Sequence, residues 1–318
     1  MISFDPLFRN PHLQTIAAHF WRRNGEETRF PIDRRLYRTE PGVEVLVQSQ
    51  RPAAAAAGEI VMVHGLEGSG RSGYLRSLSG AGLRAGFAVH RFHMRTCGGT
   101  EHLCRTLYHA GLTGDLLSVL RQLQQQKRAP AFLVGFSLGG NVALKLAGEL
   151  GEEARPLIQG VCAVSTPLDL AACARRMTRK ENWIYERRFV ERMRERLRAT
   201  GRYRTADFAG LRSVRDIDDR ITAPSFGFGD AANYYRTQSS LRYLEGIRVP
   251  ALLIQAKDDP IVPPESCQSE AARRNSQIER CITDHGGHLG FLGRKPHRFW
   301  LDKAIIEWIL GSQALVRK

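Results

Sequence analysis

The chain has 318 residues, of which 42% are apolar and 25% are charged, with a formal net charge of +15. This composition is typical of a soluble globular protein and excludes an intrinsically disordered chain. No stretch approaches the roughly 18 consecutive apolar residues of a membrane-spanning helix, and the first residues lack the basic start and apolar segment of a signal peptide, so we expect a cytoplasmic location.

The positive charge is concentrated in one segment. Residues 175–204 carry twelve Lys or Arg residues against four Glu, which amounts to more than half of the net charge. A large positive charge by itself favours nucleic acid or an anionic membrane as a partner. The interleaving of Glu with Arg favours a solvated helix face, with ion pairs between neighbouring turns.

The six cysteines are predicted to be free thiols, because they show no CxxC spacing and are too sparse for a disulfide scaffold. Cys97 and Cys104 flank His102 in a polar loop. A metal site there would need further ligands at suitable spacing. We therefore predict neither a metal nor a cofactor.

The first elements in the chain are an arm, a helix and a hairpin. Residues 8–16 predict a short arm that leads into a helix and carries no chemistry by itself. Strand-like residues 34–38 and 43–48 flank a Pro41-Gly42 turn, which predicts a β-hairpin.

An apolar strand at residues 60–63 opens into the glycine-rich loop His64-Gly65-Leu66. A continuous apolar run of this kind fits a central parallel strand. A His-Gly pair at this place is the usual preface to one half of an oxyanion hole, whose donor would be the Leu66 N–H. His64 itself is predicted to brace the loop.

Strands and helices then alternate, which predicts βαβ units and a parallel sheet. We predict an α/β-hydrolase fold with a mostly parallel central sheet flanked by helices, built from residues 1–166 and 248–318. Residues 167–247 are basic, contain scattered aromatic residues and show no clear strand, so they are predicted to form a mainly helical cap inserted into this core. The predicted elements of the alternating parts are helix 72–85, strand 87–92, loop 94–113, helix 115–126, strand 132–136, strand 158–164, strand 251–256, strand 279–283 and helix 299–310.

The stretch around Ser137 predicts a nucleophile elbow. An apolar strand ends in Gly135-Phe136-Ser137-Leu138-Gly139, and apolar residues at helical spacing follow. Such a sharp turn strains the serine backbone and leaves no room for a Cβ two residues before or after it, where the glycines stand. Ser137 is thus the predicted nucleophile, and the Leu138 N–H at the helix start is the other predicted oxyanion donor.

A serine nucleophile needs a histidine base that is oriented by a carboxylate. Both follow Ser137 in the order acid, then histidine, on loops after later strands. We prefer Asp259 to Asp258 as the acid, because the proline after Asp259 biases its backbone to an extended conformation. We prefer His288 to His285 as the base, because two glycines give His288 a pliable loop above the sheet edge.

Six motifs spread along the chain are Phe8-Arg9-Asn10-Pro11-His12-Leu13-Gln14-Thr15, His64-Gly65-Leu66-Glu67-Gly68-Ser69, Tyr108-His109-Ala110-Gly111, Gly135-Phe136-Ser137-Leu138-Gly139-Gly140-Asn141, Asp258-Asp259-Pro260 and His285-Gly286-Gly287-His288-Leu289-Gly290-Phe291. Together they resemble the YheT-like branch of the α/β-hydrolases, which includes eukaryotic acylglycerol and phospholipid esterases of the abhydrolase-domain type. The resemblance spans residues 8 to about 310 and implies Ser137 as nucleophile, Asp259 as acid and His288 as base. One departure is Thr96, where relatives tend to have glycine.

The predicted reaction is hydrolysis of a small-molecule or lipid carboxylic ester. Ser137 attacks the ester carbonyl, His288 takes the proton, the Leu66 and Leu138 amides stabilise the oxyanion, and water releases the acyl group. Acyl transfer to an alcohol or thiol is the nearest alternative, because the same triad can perform it.

Two further hypotheses concern the basic segment. A non-catalytic module that holds nucleic acid or anionic lipid through the basic cap would leave a complete triad unexplained, so we predict no nucleic-acid partner. Peripheral contact of an esterase with the anionic inner face of the membrane is a hypothesis motivated by Trp183, Tyr185 and Phe189, which are interleaved with the basic residues.

Overall fold

The computed structural model describes residues 3–23, 25–126 and 128–316. Its centre is an eight-stranded sheet in the order β1-β2-β4-β3-β5-β6-β7-β8. β2 is antiparallel to both of its neighbours, and the strands from β4 to β8 pair in parallel. The strands are β1 (Asp33–Glu40), β2 (Val43–Gln50), β3 (Glu59–Val63), β4 (Ala88–Phe92), β5 (Ala131–Phe136), β6 (Ile158–Val164), β7 (Ala251–Ala256) and β8 (Ile278–Thr283). The predicted hairpin and parallel sheet are therefore confirmed.

Helices cover both faces of the sheet, so the apolar runs of its central strands are buried. On β3, Ile60 and Met62 join the core beneath helices α2 (Gly73–Arg84) and α11 (Trp300–Val316), whereas Val61 and Val63 join the core beneath α3 (Gly114–Gln125) and α4 (Leu138–Leu150). This division follows from the alternation of side chains along a strand. The helices outside the segment between β6 and β7 are α1 (Pro11–Phe20), α2 (Gly73–Arg84), α3 (Gly114–Gln125), α4 (Leu138–Leu150), α10 (Glu270–Arg274) and α11 (Trp300–Val316).

Residues 167–247, between β6 and β7, form helices and loops and contain no strand. The helix α6 packs Val190, Met193 and Leu197 against Phe208 and Leu211 in a small apolar cluster of its own. The division of the chain into a core and a cap at residues 167–247 stays a prediction. The helices of this segment are α5 (Leu170–Met177), α6 (Trp183–Ala199), α7 (Val214–Ile217), α8 (Ala223–Ser225) and α9 (Ala231–Gln238).

The basic helix α6 has the predicted solvated face, but Arg196 does not lie on it. Arg187 and Glu191 form an exposed ion pair one turn apart. Arg196, by contrast, is only 8% exposed and pairs with a carboxylate of the α/β core. No helix in the described part of the chain is long and apolar enough to cross a membrane.

Candidate active site

Ser137 lies at the predicted turn between β5 and α4. Its backbone has φ +52° and ψ −122°, a conformation that is strained for a residue with a Cβ. A Cβ on Gly135 would overlap the Gly139 carbonyl oxygen, and a Cβ on Gly139 would overlap the Val63 carbonyl oxygen. The two glycines thus allow the turn to approach β3 closely enough to form.

Ser137, His288 and Asp259 form one chain of hydrogen-bonding groups. The Nε2 atom of His288 is 3.0 Å from Oγ of Ser137, and its Nδ1 atom is 3.0 Å from Oδ2 of Asp259. Asp259 is fully buried and His288 is 8% exposed, so water is largely excluded from the imidazole and the carboxylate. This geometry can transfer a proton from the serine hydroxyl to the imidazole.

Backbone N–H groups fix the carboxylate of Asp259. Its Oδ1 atom accepts hydrogen bonds from the amides of Ile261 and Val262 at 2.8 and 2.9 Å. Its Oδ2 atom is thereby directed at His288. The proline that follows Asp259 begins this turn.

The alternative candidates, Asp258 and His285, form a second pair beside the first. Oδ2 of Asp258 lies 3.2 Å from Nδ1 of His285, and its Oδ1 accepts the Gly287 N–H at 2.9 Å. The structure therefore brings Asp258 to the backbone of the loop that carries His288, one residue before the histidine itself.

The N-terminal motif contacts the same loop, a role that the sequence did not indicate. The Thr15 hydroxyl accepts a hydrogen bond from the His288 N–H at 2.9 Å and donates to the Pro11 carbonyl at 2.7 Å. Buried Gln14 accepts from the Leu292 N–H at 2.9 Å and donates to its carbonyl at 3.0 Å. Helix α1 thus holds the His288 loop from outside the sheet.

Replacing Thr15 by valine is expected to lower kcat by about 3- to 10-fold and stability by about 1–2 kcal/mol, because the His288 N–H loses its buried acceptor and the imidazole shifts. Steady-state kinetics on an ester and urea unfolding measure the two effects. Thr28→Val is the matched control, since its hydroxyl also donates to a backbone carbonyl at 2.7 Å, that of Gly25, but has no hydrogen bond to the His288 loop among the described residues. An equal loss of kcat in both variants would contradict the assigned role.

The loop after β3 lies beside Ser137. A Cβ on Gly65 would be 3.2 Å from the Ser137 Cβ, which places the loop in contact with the nucleophile elbow. Within the part of the chain that the structure describes, the N–H groups of Leu66 and Leu138 donate to no protein acceptor. Both amides are therefore available to a bound ligand.

His64 is buried and braces this loop, in the manner that its position predicted. Its Nε2 accepts the Met94 N–H at 3.1 Å, and its Nδ1 lies 2.8 Å from the Gly65 carbonyl oxygen. Burial lowers the pKa of the imidazole to about 3, so His64 is neutral at physiological pH.

A buried ion pair connects this loop to the helical segment. Nε of Arg196 lies 2.9 and 3.0 Å from the two carboxylate oxygens of Glu67, and the guanidinium stacks 4.7 Å from the Tyr108 ring centroid. The Tyr108 hydroxyl donates to the Glu67 carboxylate at 3.0 Å and accepts the Glu67 N–H at 3.1 Å. Glu67, which follows Leu66, is thus held by the Arg196 side chain of α6.

Thr96 takes part in the same network. Its φ of +58° is in the left-handed region, which disfavours a β-branched residue. The hydroxyl compensates in part, because it accepts a hydrogen bond from Nη1 of Arg196 at 3.1 Å. The threonine at this position therefore adds a contact to α6 that a glycine could not make.

Two cavities meet at Ser137. The first, here called the inner cavity, is about 80 Å³, is mostly apolar and lies between the sheet edge and the helical segment. Its lining also includes polar groups: the carboxylate of Asp218 accepts a hydrogen bond from the Tyr235 hydroxyl at 2.7 Å, and burial raises the pKa of Asp218 to about 6. Residues that line the inner cavity include Leu66, Leu138, Leu170, Met177, Phe189 and Met193.

The second cavity, here called the outer groove, is about 770 Å³ and opens to solvent. It runs between α1, the loop after β3 and the start of α6. Ser137 and His288 lie on its floor, and Ser137 is shared with the inner cavity. An ester carbonyl placed at Ser137 would thus have one substituent in each cavity.

The comparison with family models and the comparison with individual proteins agree with each other. Residues 60–300 match the model of the alpha/beta hydrolase family. The chain is 34% identical to the YheT protein of Escherichia coli (strain K12), which bears the name of an esterase, over 96% of this chain and 93% of that one. It is 29% identical to medium-chain fatty acid ethyl ester synthase/esterase 2 of Saccharomyces cerevisiae, over 81% of this chain and 63% of that one. Among relatives, phospholipase ABHD3 of Mus musculus is 26% identical over 73% of this chain and 58% of its own length.

Solved structures show the same fold. The esterase Pf2001 of Pyrococcus furiosus superposes with a TM-score of 0.61 over 91% of this chain and 96% of that one, at 18% sequence identity. At this identity the likeness concerns the fold alone.

Proposed function

Since this chain belongs to the YheT-like branch of the α/β hydrolase family, we propose that it is a carboxylic ester hydrolase that uses Ser137 as nucleophile, His288 as base and Asp259 as the acid that orients the base. The observation that carries the proposal is the continuous contact from the Ser137 hydroxyl through the imidazole to a buried carboxylate. Relatives named as esterases and a phospholipase support the reaction class.

In the proposed mechanism, Oγ of Ser137 attacks the ester carbonyl while Nε2 of His288 takes its proton. The imidazolium is stabilised by Asp259 and returns the proton to the leaving alcohol. Water, deprotonated by the same imidazole, then hydrolyses the acyl-enzyme. The chemistry requires no cofactor.

The amides of Leu66 and Leu138 are the proposed oxyanion donors. Leu138 is the first residue of α4, where the helix dipole adds positive potential. Leu66 adjoins Gly65, which contacts the elbow. One such donor contributes about 3–4 kcal/mol to transition-state stabilisation in other serine hydrolases.

We assign the acyl chain to the inner cavity and the alcohol to the outer groove. The inner cavity is apolar and enclosed, which suits an acyl chain that stays bound while the acyl-enzyme exists. The outer groove is open, so a released alcohol can leave through it. The small volume of the inner cavity favours short or medium acyl chains.

The test is turnover of p-nitrophenyl esters of increasing acyl length, together with covalent labelling by a fluorophosphonate. We expect hydrolysis with a preference for short or medium chains, and labelling at Ser137. A run with an added alcohol separates hydrolysis from transfer: free acid supports the proposal, and a new ester as the main product would make the protein an acyltransferase. No turnover and no labelling would contradict both.

We also propose peripheral contact with an anionic bilayer at the mouth of the outer groove. Phe20 of α1 is 72% exposed, and Trp183 and Ile184 of α6 are 58% and 51% exposed. Arg187 and Arg188 follow Trp183 and Ile184 on α6. Exposed aromatic side chains beside cations suit the headgroup layer. Tyr185 and Phe189 point into the protein instead, and both line a cavity of the site.

The measurement for this contact is sedimentation with vesicles that contain an anionic lipid. We expect binding that raised salt weakens and that Trp183→Ser lowers several-fold. Binding that is absent, or that is indifferent to both changes, would contradict the contact.

A further inference from the structure

The outer groove carries an excess of positive charge close to Ser137. Two of its arginines, Arg188 and Arg192, lie one turn apart on α6, in a row that begins with Ile184. Arg71, after the Leu66 loop, and Arg23, after α1, also line the groove. Four arginines thus line the groove that contains Ser137.

Arg23 interacts with the carboxylate of Asp302 at more than ion-pair distance, whereas the other three charges have no carboxylate partner among the described residues. Among the described residues, Arg23, Arg71, Arg188 and Arg192 form no ion pair. Among the described residues that line the groove, only Glu67 has a carboxylate, and Arg196 already occupies it. In contrast, Arg187 on the outer side of α6 has its own partner in Glu191.

The hydrogen-bonding contacts of Arg188 and Arg192 are with uncharged groups. Nη2 of Arg188 lies 2.9 Å from Nε2 of His19, and Nη1 of Arg192 donates to the Glu67 carbonyl at 3.5 Å. Burial and the neighbouring Arg188 and Arg192 lower the pKa of His19, so the imidazole does not compete as a further cation. Nε of Arg23 is buried and has no acceptor within the described part of the chain.

On the basis of the proposed function, we infer that the natural ester carries an anionic group, such as a phosphate, on its alcohol side. Arg188 and Arg192 bind this group in the outer groove. The polarity of the two cavities indicates on which side of the ester bond the anionic group lies. The inner cavity is lined mostly by apolar side chains, and Arg196, which also lines it, is already paired with Glu67, so an anion there would be desolvated without a free cationic partner. The outer groove offers guanidinium groups that have no ion-pair partner among the described residues.

Guanidinium groups suit this task for two reasons. They bind phosphate or carboxylate oxygens through paired N–H donors, and they keep their charge at any physiological pH. Because the groove is open, the anionic alcohol can dissociate after acylation, and long-range attraction would raise the rate at which the substrate associates.

The test compares 1-hexanoylglycerol with 1-hexanoylglycerol 3-phosphate, which share the acyl group and ester bond. Both are used at concentrations at which they are monomeric. We expect the wild-type protein to show at least about a tenfold higher kcat/KM for the phosphate substrate. The ratio should fall to about 1 in the Arg188→Gln/Arg192→Gln variant, and it should persist in Arg187→Gln/Arg198→Gln, which removes the same charge from the exterior of the same helix.

The possible results separate this inference from the proposed function. Hydrolysis of both substrates at similar kcat/KM would overturn the anion site and leave the esterase intact, whereas hydrolysis of neither would contradict both. A fall of the ratio that is equal in the two double variants would show a general effect of charge and would overturn the site. If the preference for the phosphate substrate arises only when the substrates are carried in neutral vesicles, it is due to attraction of the protein to the charged vesicle surface. This result would also overturn the anion site.

Discussion

Replacing Ser137 by alanine is expected to lower the kcat for ester hydrolysis by at least about 10,000-fold, because no acyl-enzyme can form without Oγ. The oxyanion donors and both cavities remain, so a small residual rate above that in water is expected. Stability should change little, because Ser137 makes no buried contact through Oγ other than that with His288 among the described residues. Thermal unfolding should therefore coincide with that of the wild type within a few degrees.

The measurement is single-turnover and steady-state kinetics with p-nitrophenyl butyrate, supported by fluorophosphonate labelling and peptide mapping. Ser118→Ala is the matched control, since Ser118 is a partly buried serine on α3, outside both cavities. The control should keep full activity and labelling. Turnover that survives in Ser137→Ala would place the reactive group elsewhere and remove the basis of the proposed function.

The second large effect is expected for Asp259→Asn, with a loss in kcat of about 1,000- to 10,000-fold. An amide at this position can donate to Nδ1 of His288, which favours the tautomer whose Nε2 carries the proton and cannot accept one from Ser137. The backbone hydrogen bonds from Ile261 and Val262 can still be accepted by the amide oxygen, so the fold should persist.

Asp258→Asn is the matched control for this change, because it alters the adjacent residue by the same atoms. Its amide oxygen can still accept the Gly287 N–H, so the His288 loop should keep its path and kcat should fall by less than about tenfold. Measuring kcat as a function of pH for both variants separates the role of the acid that orients His288 from the role of supporting the His288 loop. If Asp258→Asn were the more damaging variant, Asp258 would have to be the acid and the geometry around His288 would have to change during the reaction.

The link between α6 and the Leu66 loop has a consequence for how the site is assembled. Arg196 and Glu67 are both nearly inaccessible to solvent, with 8% and 4% of their side chains exposed. Removing one partner of a buried pair leaves an uncompensated charge, which is far more costly than exchanging an exposed pair. The position of the Leu66 amide therefore depends on the packing of the helical segment, which also supplies walls to both cavities.

Much of the fold follows from local patterns in the sequence. The apolar runs of β3, β5, β6 and β7 identified buried parallel strands, because such strands are covered on both faces. The glycines around Ser137 identified the turn, because a Cβ there would overlap neighbouring backbone. The order of nucleophile, acid and histidine follows from their places after successive strands, whose carboxyl ends meet at one edge of the sheet.

Other features could not be read from the sequence. The motif at Gln14 and Thr15 carries no recognisable chemistry, yet Thr15 holds the backbone of a residue 273 positions away. Arg196 is one of many arginines in a basic segment, and its partner Glu67 lies 129 positions earlier. Periodicity and composition treat these residues as ordinary polar positions of a helix and a loop.

The sequence by itself determined which elements form and which chemistry-bearing residues stand at their ends, because hydrophobic period and turn sterics act between near neighbours in the chain. Only the tertiary structure decided which arginine of α6 is buried against Glu67 and which arginines line the groove of Ser137 without an ion-pair partner among the described residues. These outcomes depend on the packing of the helical segment against the core, and the free energy of an ion pair is set by the burial and distance that this packing imposes.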